Sequence, residues 1–362
     1  MSALKKQGFF ARAFPVPEFL ATPLVGIEIA HDAVTHMSLK RGKRGFTLRA
    51  CGKESLPEGA LENGMVRDAS VLTKVLASVR AQNGYTRVHL GLPEEQASLF
   101  HTEVPLGSFD DMAQMVESRL KENLPLSPED ASFDFDVVHT QGETASVVVS
   151  AYPREVVQDF ISACEEAGLE PVSCVPIGLA DAHALVSPHE TRTVAIIHLG
   201  MSASHFSVVA DGAVVLTVKL ETSAELFFNA FPSKEEDRDE TRALVRRCGA
   251  QNKAGCEEVY SALAPFLKNF AEEVHTQTSY WHMHVQGSTL LKDISFVWLV
   301  GTGAGVAGVA EFLEHELGLS VRYAQVWQKD MWAPMKKPPC SLRDSLAYVS
   351  ALGLAFHGIS LS

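Results

Sequence analysis

Two short stretches place carboxylates, imidazoles and small residues around strand-turn-strand hairpins, where such groups can do chemistry. In Val25 to Leu39, V-G-I-E-I-A-H-D-A-V-T-H-M-S-L, an apolar run leads through Glu28, Ala30 and His31 to a turn at Asp32-Ala33. In Val194 to Thr217, V-A-I-I-H-L-G-M-S-A-S-H-F-S-V-V-A-D-G-A-V-V-L-T, His198 precedes a turn of Gly200, Met201, Ser202 and Ala203. A shift of 170 positions lays Glu28 on His198, Ala30 on Gly200, and Asp32-Ala33 on Ser202-Ala203. A carboxylate at a strand end could ligate a hard cation, and a glycine in the turn lets another group approach the backbone closely. An imidazole is a poor magnesium ligand, although it donates a hydrogen bond to phosphate.

A third stretch is the glycine loop of Gly301, Gly303, Ala304 and Gly305. With Gly308 it spells G-x-G-x-x-G between an apolar run and a helical pattern. A dinucleotide fold would also need an acidic residue ending the following strand, and Gln325-Val326 stands there. Two readings stay open: a close backbone approach to an adenosine or a neighbouring element, and a tight turn that binds nothing. Among the histidines, His31, His198 and His205 would share one cleft if the two hairpins face each other. His282 and His284 form an H-x-H at the end of a helical pattern, where the two rings point apart. No metal site is expected from either group. No Ser/His/Asp or Cys/His nucleophile arrangement can be assembled from spacing, so no catalytic residue is assigned.

The elements that must position these residues follow from periodicity. Strands are expected at 24–30, 33–40 and 46–54, then a helix capped by Asp68 and a strand at Arg87 to Leu92. A smaller α+β unit follows: a strand at 99–104, a helix capped by Asp110 with Met112, Met115, Val116 and Leu120 on one face and stopping at Pro125, strands at 133–139 and 145–151, and a helix opened by Pro153. Val175 to Val186 reads as helical. After the second hairpin come a helix at Lys219 to Phe231, a charged stretch at 234–258 and a long helix from Val259. A strand at Ile294 to Val300 leads into the glycine loop. A helix, a strand at 320–326, a proline-rich loop and a closing helix end the chain. A repeated strand-turn-strand unit half a chain apart implies two similar halves.

Composition sets the outer bounds. At 362 residues the chain exceeds one core, and 46% apolar with 21% charged residues is ordinary globular usage. The net charge of −13 disfavours nucleic acid or an anionic bilayer as main partner. Lys40 to Arg44 is the dense basic cluster, read as a solvated hairpin tip. No run approaches the ~18 apolar residues of a membrane span, and the first residues lack a signal-peptide pattern. Phe9, Phe10 and Phe14 are read as part of a flexible lead-in. The six cysteines, without a C-x-x-C pair, are expected to be reduced and structural in a cytoplasmic protein.

These segments together resemble the PilM family of type IV pilus assembly proteins, part of the actin-like group that includes the cell-division protein FtsA. The likeness lies in V-G-I-E-I-A-H-D-A-V at 25–34, L-P-E-G-A-L-E-N-G-M-V-R-D at 56–68, R-L-K-E-N-L-P-L-S-P-E-D at 119–130 and A-Y-P-R-E-V-V-Q-D-F-I-S-A-C-E-E-A-G-L-E-P-V at 151–172. It continues through I-I-H-L-G-M-S-A-S at 196–204, W-L-V-G-T-G-A-G-V-A-G-V at 298–309 and A-L-G-L-A-F at 351–356.

The resemblance implies an actin-like (ribonuclease H-like) two-lobed α/β fold with a duplicated core and an inserted α+β subdomain. The expected division is a lead-in at 1–23, a first lobe at 24–94 and 175–192, an insertion at 95–174, and a second lobe at 193–362. Within that lobe 225–290 would form a smaller helical subdomain. The resemblance further implies a cytoplasmic scaffold at the inner membrane, gripping the N-terminal tail of a PilN-like membrane protein. An actin-type pocket for ATP with Mg²⁺ would use the hairpin and glycine-loop residues above. The family pattern has Asp at the position of Glu28, Gly at Ala30, Ser at His31 and Asp at His198, so a degenerate pocket is expected here. The alternative is an active, ATP-switched or polymerising actin-like protein. A small-molecule kinase would need a catalytic carboxylate beside the second hairpin, for which the sequence gives no signal.

Overall fold

The computed structural model describes residues 24–42, 45–124, 127–187, 189–231, 237–286, 292–325 and 341–360. The lead-in with its three phenylalanines, the hairpin tip at 43–44, Pro125, and the proline-rich loop with Cys340 lie outside them. Two five-stranded sheets carry the architecture. In the first, β1 (Val25–Ile29), β2 (Ala33–Gly42) and β3 (Gly45–Ser55) form an antiparallel meander. The hairpin of β4 (Leu61–Glu62) and β5 (Met65–Val66) follows, then β6 (Arg87–Leu92) beside β1 in parallel. A small antiparallel sheet of β7 (Ser98–Pro105), β9 (Thr144–Pro153) and β8 (Ala131–Gln141) intervenes. The chain then returns as β10 (Glu170–Pro176), parallel to β6.

The second sheet repeats this plan with β11 (Thr193–Leu199), β12 (Ser204–Ala210), β13 (Ala213–Leu220), β14 (Ile294–Val300) and β15 (Val321–Tyr323). The orders, β3-β2-β1-β6-β10 and β13-β12-β11-β14-β15, are the same. So is the register. Glu28 stands opposite Thr35 on one side and Gly91 on the other, and His198 stands opposite His205 and Val300. The doubling expected from the 170-residue shift is therefore present strand by strand. Asp211-Gly212 makes the β12–β13 turn with φ of 49° and 81°, as an Asp-Gly hairpin requires.

Each sheet buries its own core: Ile27, Ile29, Leu72, Leu76 and Phe160 under the first, and Ile196, Phe206, Leu263, Phe270 and Leu299 under the second. The intervening sheet has a third, built on Val104, Val116, Leu120, Val147 and Val149. Between the large sheets the helices Ile177–Leu185 and Val349–Ser360 cross. Their contact is close because Gly353 has no side chain. A Cβ at that position would overlap the backbone carbonyl of Ala180.

Several local expectations need correction. Ser108, not Asp110, caps the helix Phe109–Asn123, its hydroxyl accepting from Asp111 N at 3.3 Å. Met115 is 44% exposed and leaves the buried face to Met112, Val116 and Leu120. The stretch before Ile177 is strand, because Glu170–Pro176 completes the ladder along β6. Lys219 still lies in β13, which ends at Leu220, and the helix starts only at Ala224. Cys248 and Cys256 are disulfide-bonded, contrary to the expectation of reduced thiols. Turns at Gly249 and Gly255, both at positive φ, bring their Cα atoms to 5.1 Å and tie the helix Arg238–Cys248 to the start of Glu257–Gln286.

The two crossing helices also bring His183 and His357 into a stack at 5.1 Å, with the His89 ring edge-on to His357 at 5.7 Å. Burial, with a smaller contribution from His357, lowers His183 to about 4. A histidine kept neutral by the fold holds stability above the unfolded value near 6.5 and loses it as pH falls towards the folded value. Urea midpoints are therefore expected to drop between pH 7 and 4. His183→Phe is expected to flatten part of that slope, and an unchanged slope would remove the stack as its cause.

Candidate functional site

The two hairpin tips face one another across the slot between the sheets. Glu28, Ala30, His31, His198, Gly200, Met201, Ser202 and Ala203 line one cavity of about 60 Å³, together with Glu94 and His205. Asp32, Ala33 and Gly301 line a smaller space of about 20 Å³ on its other side, again with Glu28 and His198. Gly305 opens instead onto a third cavity of about 500 Å³ whose walls include Lys53, Arg246, Arg247 and Arg343. Gly303 and Ala304 are buried against neighbouring elements rather than turned to the cleft. A Cβ on Gly303 would press on Leu199 and Ala224. Gly301 needs to be glycine twice over, with φ at 91° and the Leu199 carbonyl where a Cβ would go.

Local backbone explains the tips. Ala30 and Ala33 exchange two bonds, Ala30 N to Ala33 O at 2.9 Å and Ala33 N to Ala30 O at 3.4 Å, so both amides are engaged within the turn. A Cβ on Gly200 would meet the Ala203 carbonyl, so the second tip is tighter still. Lys53 reaches across the slot, its ammonium 3.1 Å from Asp32 Oδ2 and 3.4 Å from Thr302 Oγ1.

The side chain that organises the site is Asp181, the one acid on the helix Ile177–Leu185 and wholly buried. Its Oδ2 accepts from His198 Nδ1 at 2.8 Å and lies 3.5 Å from His205 Nε2, while Oδ1 accepts from Ser350 Oγ at 2.7 Å. The two imidazoles stack at 4.8 Å. Burial would raise Asp181, but the two histidines hold it well below the usual carboxylate range. Burial alone would lower His198. The Asp181 charge and hydrogen bond outweigh it, helped by Glu28 and Glu94, and bring His198 up to about 9. Glu28 is 7% exposed, and burial raises it to about 7. Burial also raises Glu94, whose Oε2 accepts from Gly178 N at 3.0 Å. The second hairpin thus presents a ring whose charged form Asp181 favours, and the first a carboxyl whose neutral form burial favours.

Sequence reasoning named His198 and His205 but not Asp181, Glu94 or Lys53. A lone acid in I-G-L-A-D-A-H-A-L is the signal that could have found Asp181, since a carboxylate inside an apolar helix requires a partner. His31 lines the 60 Å³ cavity but does not join His198 and His205. His282 Nδ1 is 2.6 Å from Asp293 Oδ1 at the surface, away from the cleft, and the His284 side chain lies outside the described residues.

Duplicated five-stranded sheets, crossing helices between them and paired hairpins at the slot define an actin-like protein. Solved structures agree in fold. The structure titled "PilM-PilN type IV pilus biogenesis complex" superposes with a TM-score of 0.79 at 20% identity, over 92% of this chain and 98% of the other. MreB5 of Spiroplasma citri bound to ADP gives 0.53 at 11% identity, over 93% and 96%. The ethanolamine utilization protein EutJ of Carboxydothermus hydrogenoformans gives 0.51 at 14%, over 92% and 88%. No curated protein matches the chain in direct sequence comparison. The model of the family described as type IV pilus assembly protein PilM matches residues 26–359. The chain belongs to the PilM family of type IV pilus assembly proteins.

Proposed function

We propose that this protein is a scaffold of a type IV pilus, or a related secretion, assembly platform. It works on the cytoplasmic face of the inner membrane by gripping the N-terminal tail of a PilN-like membrane protein. The observation that carries this reading is the family match along 26–359, to which the fold of the PilM-PilN complex adds weight. Among the described residues no helix is long and apolar enough to cross a membrane, so attachment through a partner's tail suits the chain. A disordered tail that orders on docking is a common way for such a partner to be held. The unit built on the intervening sheet and the helix Phe109–Asn123 offers apolar surface for it, with Leu106, Phe109 and Val137 exposed and the Phe109 ring stacked on Phe135 at 4.9 Å.

In this reading the actin-type pocket is degenerate. When bound, Mg²⁺ with ATP would supply a triphosphate neutralised by a hard cation. The groups at the hairpins suit that poorly. Burial favours the neutral form of Glu28, His198 is committed to Asp181, and the amides of Ala30 and Ala33 bond each other's carbonyls. The spaces between the tips, about 60 and 20 Å³, are small for a chain of phosphates. The cavity of about 500 Å³ beside Gly305, walled by three arginines, supports a second reading in which a nucleotide binds without being hydrolysed.

The full chain used as bait on solubilised membranes is expected to recover a single-pass pilus protein, and to lose it when that protein's N-terminal tail is removed. Capture independent of the tail would overturn the docking mode. Calorimetry with Mg-ATP is expected to show no micromolar binding; such binding with steady phosphate release would restore the active ATPase.

A further inference from the structure

The groups around Asp181 carry an inference that does not depend on tail docking. We propose that Asp181, His198 and His205 form a binding site for a divalent transition-metal ion at the floor of the inter-lobe slot. One ligand atom from each lies within 4.8 Å of the others, and all three residues are buried. An ion at ~2.0–2.1 Å from tetrahedral ligands sets those ligands about 3.3 Å apart. The measured 2.8 Å and 3.5 Å from Asp181 Oδ2 to the two imidazole nitrogens bracket that spacing.

A second observation points the same way. His205 is 3% exposed and its Nε2 has no hydrogen-bond partner, yet it is aimed at the Asp181 oxygen that His198 already uses. An ion between the two imidazoles would take a lone pair from each and give His205 Nε2 the partner it lacks. Ser350 Oγ fixes the far oxygen of Asp181 at 2.7 Å, the outer-shell bond that orients a ligating carboxylate. Both histidines border the cavity of about 60 Å³, which has room for a water as a further ligand and has the Glu28 and Glu94 carboxyls on its walls.

The donor set selects the ion. Two imidazoles with a carboxylate suit zinc, cobalt, nickel or manganese, whereas magnesium and calcium prefer oxygen throughout. The duplication explains why only one lobe has the site. The stations equivalent to His198 and His205 are Glu28 and Thr35, which offer no nitrogen.

The test uses the full chain stripped with a chelator and titrated with Zn²⁺ against a chromophoric competitor. One ion per chain is expected, undiminished by excess Mg²⁺. His205→Phe keeps the ring and removes its nitrogens. It is expected to weaken binding by more than ~100-fold, since even an outer-shell loss costs 10–100-fold. His282→Ala, at the surface pair with Asp293, is expected to leave affinity unchanged. Absence of stoichiometric binding, or wild-type affinity in His205→Phe, overturns the proposal. Should that variant not fold, X-ray absorption on the Co²⁺-loaded wild-type chain decides: two imidazole nitrogens support the site, and oxygen ligands alone sink it.

Discussion

Gly353→Ala is expected to destabilise the protein by at least about 3 kcal/mol, at the upper end of what overpacking a filled core costs. The new methyl would occupy the space of the Ala180 carbonyl, with the Ala180 carbonyl carbon only 2.5 Å away. Backbone cannot turn aside as a flexible side chain can. The helices Ile177–Leu185 and Val349–Ser360 would have to separate, and their separation would open the seam between the two sheets. Gly26 makes the same demand from β1, since a Cβ there would overlap the Ala351 carbonyl. Gly305→Ala is the control. Its nearest neighbour would be Arg343 O at 3.6 Å, an ordinary contact, so a change within about 1 kcal/mol is expected. Urea unfolding of both variants checks this, and a Gly353→Ala midpoint close to wild type would show that the crossing has slack.

The second large effect concerns Asp181. Asp181→Ala strips His198 and Ser350 of their shared hydrogen-bond partner and leaves the buried imidazole only the more distant Glu28 and Glu94 carboxyls. Breaking a buried pair from one side costs ~3–5 kcal/mol. Asp181→Asn keeps the shape and removes the charge, so it separates size from electrostatics. In the metal-free protein the sign follows from His198, lifted to about 9 from an ordinary value near 6.5. A raised histidine adds stability that is complete below the unfolded value and is lost as pH climbs through the folded one. The gap between wild type and Asp181→Asn is therefore expected to be wide at pH 6 and narrow at pH 10. NMR titration should find the His198 resonance moving to a lower pKa in the variant. A gap that does not change with pH would mean the pair contributes through packing alone.

Much of this was legible before any coordinates. The repeat between residues 25 and 39 and residues 195 and 209 survives because both lobes must end a strand, turn and come back beneath the same slot. Those backbone demands leave their mark on Gly200, on Asp211-Gly212 and on the apolar runs that lead into the turns. Ser108 was missed because Asp110 is an equally good capping type, and only the helix's true first turn separates them. Met115 was misplaced because a thioether fits either face of a helix. The Glu170–Pro176 strand lies between two helices and owes its existence to the β6 edge, a partner more than 80 positions back in the chain. Asp181 shows the same limit at the site. Nothing within ten residues explains it; His198, His205 and Ser350 reach it from other elements. The disulfide was hidden for a related reason, since seven intervening residues reveal little until two glycines fold the ends together.

The register shared by the two hairpins has a consequence for anything that enters between them. The two hairpins repeat one register, but their chemistry differs: burial raises the Glu28 carboxyl at one jaw, and Asp181 raises the His198 ring at the other. A guest with unlike ends would therefore meet different chemistry at each of them.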